Sequence, residues 1–148
     1  MSYNPQNPNG QTDMANSAPV VIASDQAAVP AVASQETSAI YSGTTSLTPK
    51  FAAITASASG ATTVVGAVAS KKIRVISYVV VANAAVNIKF MTSTGPADKT
   101  GLLYLSANGG VSGAYAPTGH FETDSGDGLQ INLSAAVAVG GHLTYVEV

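Results

Sequence analysis

Few residues in this chain of 148 could do chemistry, and their spacing narrows the options further. The only histidines are His120 in "PTGHFET" and His142 in "VGGHLTY", and there is no cysteine. A zinc site needs three or four clustered ligands, and no paired His or Cys spacing supplies them. Serines are plentiful, but none sits in a G-x-S-x-G elbow, so no Ser-His-Asp nucleophile is expected. The run "HFETDSGDGLQ" brings Glu122, Asp124 and Asp127 together around two glycines. Calcium wants 6–8 oxygen ligands, but this spacing departs from an EF-hand loop, and Asp and Gly are also the ordinary residues of a tight turn. The one basic cluster, "SKKIR" from Ser70 to Arg74, reads either as a solvated strand entry or as a contact for an acidic neighbour. In "LSANGGVSGAYAPTGHF" the pair Gly109-Gly110 is not followed by a helix, so a surface loop is expected there and not a phosphate cradle. The residues therefore point away from an enzyme and call for no metal or cofactor.

Composition narrows the class. Hydrophobic residues make up 46% of the chain and charged residues 9%, well under the roughly 25% usual in soluble domains. So little charge suits a protein that works against other protein. A net charge of −2 with only six basic residues, three of them in "SKKIR", argues against nucleic acid, which needs larger clusters of Lys and Arg. No apolar run reaches the roughly 18 residues that span a bilayer, and "MSYNPQNPNG" lacks the basic and apolar regions of a signal peptide.

The chain divides near Lys50. Residues 1–49 hold five of the seven prolines and no Lys or Arg. They read as an extended N-terminal arm and linker: a turn-rich leader, the apolar stretch "APVVIASDQAAVPAV", and a polar linker with Ile40 and Tyr41 as anchors. Proline removes donors, so this stretch cannot form long ladders. One reading is a disordered tail. The other is an arm ordered on a neighbouring chain, favoured by Val20, Val21, Ile22, Val29 and Val32, because disordered tails are poor in β-branched residues.

Residues 50–148 read as an all-β body. Strands are expected at "KFAAITAS", "TTVVGAV", "KIRVISYVVVA", "VNIKFMT", "LLYLS", "GHFET", "LQINLS" and "LTYVEV". Turn words separate them at the rhythm of a jelly-roll-like antiparallel β-sandwich. Val86, Ile88 and Phe90 alternate with Asn87 and Lys89, the mark of a strand with one wet face. The stretch 73–82 differs. Ile73, Val75, Val79 and Val81 would line one face, and Ile76, Tyr78, Val80 and Ala82 the other. A second sheet covers one face only, so Ile76, Tyr78 and Val80 are the expected oligomer interface, unless the arm covers them.

Two stretches carry a resemblance. "ANSAPVVIASDQAAVP" resembles a peptide recurring near the N-termini of tailed-bacteriophage virion proteins, loosely N-S-x-P-V-V-I-A-S-D-Q-x-x-[IV]-P. From "KKIRVISYVVVANAAVNIKFMTSTG" to the end "LQINLSAAVAVGGHLTYVEV", the chain is similar to a small β-sandwich module of phage structural proteins. The resemblance implies a capsid decoration (cement) protein: a jelly-roll-like body with an extended arm, a homo-oligomer and specifically a trimer, with the major capsid protein as partner. It would sit on the outer capsid surface of the virion after assembly in the host cytoplasm, without nucleic acid or membrane. The same module also occurs in tail, neck, baseplate or short-fibre components. A carbohydrate-binding receptor module would need exposed aromatics, and the chain has no Trp and six Tyr.

Overall fold

The computed structural model describes residues 40–148. The arm residues Val20, Val21, Ile22, Val29 and Val32 lie outside them. Among the described residues there are eleven strands and no helix: β1 (Ile40–Ser42), β2 (Thr45–Leu47), β3 (Lys50–Ala56), β4 (Gly60–Val65), β5 (Ile73–Ala82), β6 (Val86–Thr92), β7 (Leu103–Leu105), β8 (Gly110–Gly113), β9 (Phe121–Glu122), β10 (Leu129–Leu133) and β11 (Val139–Glu147). All pairings are antiparallel. One large sheet runs β4-β10-β6-β7 and the other β3-β11-β5-β8, with β9 also on β5, while β1 and β2 pair as a separate two-stranded sheet.

Period-2 patterning explains how the sheets meet. Leu129, Ile131 and Leu133 of β10 point inward beside Val86, Ile88 and Phe90 of β6, while Gln130, Asn132, Asn87 and Lys89 stay half-exposed. Ile54, Val75, Val80, Leu143 and Val139 of the other sheet join the same apolar cluster. Tyr78 and Phe90 meet edge-on across the sheets with ring centroids 5.4 Å apart. The result is a β-sandwich-like body with one shared core.

The expected faces of 73–82 require correction. Thr144 of β11 pairs with Ser77, but the next residue, Tyr145, pairs with Val75, so Ile76 is an extra residue in β5. A bulge of this kind reverses the alternation of the strand. Ile73 and Val75 face the core on one side of it, and Tyr78, Val80 and Ala82 face the same core on the other. Val80 is 0% exposed, and Tyr78, half-buried, packs against the cluster, so both lie on the core side of the sheet and not on its outer face. Ile76 turns outward, but it too is buried at 1% exposure.

The β1–β2 hairpin covers it. Ile40 is buried in a second small cluster with Ile76 and Val146, rimmed by Leu47 and Val148. Burying such a side chain is worth about 1.5–3 kcal/mol, enough to hold a three-residue strand pair that would not stand alone. Ile40 is thus the anchor the linker was expected to contain, whereas Tyr41 is exposed.

Strand β11 begins earlier than its apolar residues suggest. Gly140 and Gly141 lie inside it, opposite Val81 and Val80. A Cβ on Gly141 would run into the Val79 carbonyl, and its φ is +154°. Only glycine lets the two central strands approach there. The glycine-rich stretch read as a loop also contains β8, paired with Tyr78–Val81.

Candidate interaction surface

The acidic run is a structural staple. Thr123, buried, accepts from the Ile73 amide at 2.9 Å and donates to the Asp127 carbonyl at 3.2 Å, tying the loop to the start of β5. Asp127 is 6% exposed, and its Oδ1 accepts from the Ser93 hydroxyl at 2.5 Å and from the amides of Thr94 at 2.9 Å and Gly128 at 2.8 Å. Burial works to raise the pKa of this carboxyl, but the hydrogen bonds from Ser93, Thr94 and Gly128 together outweigh it and hold the pKa below its ordinary value. Glu122 meets Arg74 Nε at 2.6 Å and Lys72 Nζ at 3.8 Å, and Asp124 meets Lys99 at 3.1 Å. Each carboxylate is engaged with a different partner. Among the described residues no three His, Asp or Glu side chains converge as metal ligands.

The basic cluster is divided in the same way. Lys72 and Arg74 turn onto Glu122 of their own chain, beside a polar cleft of about 280 Å³ lined also by Ser42, Ser70 and Ser125. His120 places Nε2 2.7 Å from the Ala114 carbonyl and stands edge-on to Tyr78, which fastens the segment before β9 onto β5. His142 stands elsewhere, exposed on β11 between Ala53 and Val79. The two histidines are not brought together.

What the fold does assemble is a surface. Across the outside of the five-stranded sheet, strand register lines up Ala53, His142, Val79 and Ser112 in one row. Thr55, Gly140, Val81 and Gly110 form the next, and Phe51, Thr144 and Ser77 the row toward the hairpin. Phe51 is 78% exposed, Val81 47% and Val79 37%. These rows contain no Asp, Glu, Lys or Arg. Among the described residues, the hairpin covers one end of this face, and Phe51, Val79 and Val81 are left exposed. Phe51 was not singled out from the sequence; the signal that could have found it is the alternation in "FAAIT", where Phe51, Ala53 and Thr55 oppose Ala52 and Ile54. Val79 and Val81 were legible as apolar residues but assigned to the wrong side, because no local signal marks the bulge.

The fold and surface together define a class: an antiparallel two-sheet body with one open, uncharged, apolar face. Comparison of the chain with protein-family models, with curated sequences and with solved structures finds no match.

Proposed function

We propose that this chain is a bacteriophage capsid decoration, or cement, protein that binds the outer shell and stabilises contacts between major capsid subunits. The observation that carries the reading is the open face around Phe51, Val79 and Val81, which a body exposed to water on all sides has no reason to keep uncharged. The order of strands supports the finer expectation of a jelly roll. The orders β3-β11-β5-β8 and β4-β10-β6-β7 interleave early and late strands in each sheet, as two nested Greek keys would. The stretch "ANSAPVVIASDQAAVP" resembles a peptide of virion proteins and would supply a second tie.

The physical logic is additive. Four strands about 4.8 Å apart, with some five residues each at about 3.3 Å, present a face only about 15 Å on a side. That is far below the roughly 800 Å² per partner of a standard interface. One such contact is weak; a face and an arm together, repeated over a lattice, are strong by effective concentration. A protein that binds the assembled shell and not its free subunits stabilises it by mass action, about 2.7 kcal/mol per site at a hundredfold excess over Kd.

Two measurements on purified particles test this reading. Copy number should scale with the shell lattice and not match a tail or neck ring, and particles lacking the protein should assemble yet release DNA at a lower temperature. Particles that withstand heat like wild type but fail to adsorb to cells would replace the cement reading with a tail or receptor role.

A further inference from the structure

An edge strand exposes a row of unpaired N–H and C=O groups, and proteins blunt such edges with short strands, bulges, proline or lysine. Among the described residues, the five-stranded sheet ends in β3 on one side and in β8 and β9 on the other, and the four-stranded sheet is flanked by β4 and β7. β4 carries a register shift opposite Leu129 and Gln130. β7, β8 and β9 are three, four and two residues long. β3 alone runs seven residues without proline or a shift in register. Pro49 and Lys50 blunt only its first position, and Lys50 is drawn onto Glu147 at 2.7 Å. From Phe51 to Ala56 the edge is uncharged, and Phe51, Ala53 and Thr55 are exposed on its outer side.

We propose that β3 pairs with β3 of a second copy of this chain, antiparallel about a two-fold axis at Ala53, joining two five-stranded sheets edge to edge. The strand's own pattern selects this occupant. In the register of full overlap Phe51 faces Thr55, Ala52 faces Ile54, Lys50 faces Ala56, and Ala53 meets its own copy. An aromatic residue opposite a β-branched one is a favourable cross-strand pair, and a small residue sits where a side chain meets itself with Cβ atoms roughly 4.5–5.5 Å apart. The two Lys50 residues stand at opposite ends, about 20 Å apart at roughly 3.3 Å per residue. That distance exceeds a Debye length of about 8 Å, and each lysine is matched by its own Glu147. An acidic or basic partner would find no free charge along this edge to read.

Seven residues a side fall well short of the roughly 20–30 of a standard interface, so the pair is weak in dilute solution and forms where copies are crowded. A two-fold contact closes at two copies; a trimer would need a different contact. The inference is independent of the virion reading, since it uses only β3 and its neighbours.

Sedimentation of the full chain from about 10 μM to about 1 mM tests it across the usual range of weak association. The wild type should move from monomer toward dimer. Ala53→Lys and Ala53→Glu each set like charges face to face at the axis, and each should raise the dimer dissociation constant at least tenfold, with an unchanged circular dichroism spectrum. An equimolar mixture of the two should restore the dimer, which no role for Ala53 within one chain would produce. A wild type that stays monomeric throughout overturns the proposal, as does association that ignores both charges. Association abolished by replacing Val20, Val21 and Ile22 with Ser, yet indifferent to position 53, would assign the contact to the arm of a second copy and overturn the β3 pairing. A chain that dimerises as described but never binds shells leaves this inference standing and removes the cement reading alone.

Discussion

On the outside of the four-stranded sheet, Thr63, Gln130, Asn132, Asn87 and Lys89 make a mostly polar layer, with one exposed aromatic, Tyr104, beside Asn87. Gln130 donates to Thr63 at 3.3 Å, and Lys89 pairs with Asp98 at 2.8 Å. On the outside of the five-stranded sheet, Phe51, Val79 and Val81 are exposed among Ala, Gly, Ser and Thr, with His142 the one titratable side chain in those rows. Both sheets feed the same core with the same alternation, so the difference is not demanded by folding. Threonine would serve a water-facing strand as well as valine. The polar layer is what a sheet needs to face water; the apolar one suits a sheet that meets something else. Single exposed apolar residues are common on protein surfaces, but here they are set in adjoining rows with no charge between them.

Val80 and Val81 are neighbours in β5 on opposite sides of this contrast. Val80→Asp should give the largest effect: an unpaired carboxylate in the core, costing more than about 3 kcal/mol and abolishing the cooperative melt. Val81→Asp should leave the melt within about 0.5 kcal/mol. If the two behave alike, the bulge at Ile76 is misplaced. Ile40→Ala should cost about 2–3 kcal/mol and, by loosening the hairpin, extend the apolar face over Ile76 and Val146; increased binding of a hydrophobic dye would report it. Gly141→Ala should cost about 2 kcal/mol, from the left-handed backbone and the Val79 carbonyl together, measured by denaturant unfolding.

Asp127 sharpens the comparison from the side of the loops. Asp127→Ala orphans the donors of Ser93, Thr94 and Gly128 and should cost about 2 kcal/mol. The sign of its pH dependence follows from the lowered pKa. The stabilisation is complete above the unfolded carboxyl value of about 3.9 and is lost as pH falls through the lower folded value. The acid side of a stability–pH profile should therefore flatten in Asp127→Asn.

Much of this fold was legible because period-2 patterning is a local signal. β6 stands where "VNIKFMT" put it, and β3, β10 and most of β5 follow their apolar residues to within a residue or two. The sandwich-like arrangement followed from turn spacing. Three features were not legible, each because its cause is remote in sequence. β8 is a strand because β5 offers an edge, and nothing in "GVSG" asks for one. The β1–β2 hairpin owes its existence to Ile76 and Val146. The bulge in β5 is defined only by its pairing with β11, and one extra residue was enough to send Tyr78 and Val80 inward and Val79 and Val81 outward. The acidic loop was correctly read as a turn, but its buried Asp127 was not foreseen, because its donors at Ser93 and Thr94 lie more than thirty residues away.

The contrast between the two faces is tested most directly by occupancy on shells stripped of the protein. Val81→Glu and Asn132→Glu each add one carboxylate to a solvent-facing strand position, the first on the apolar face and the second on the polar one. With both variants folded, occupancy should fall at least tenfold for Val81→Glu and stay at the wild-type level for Asn132→Glu. Equal occupancy for the two, or loss confined to Asn132→Glu, would contradict the proposal that the five-stranded sheet is the face that meets a shell.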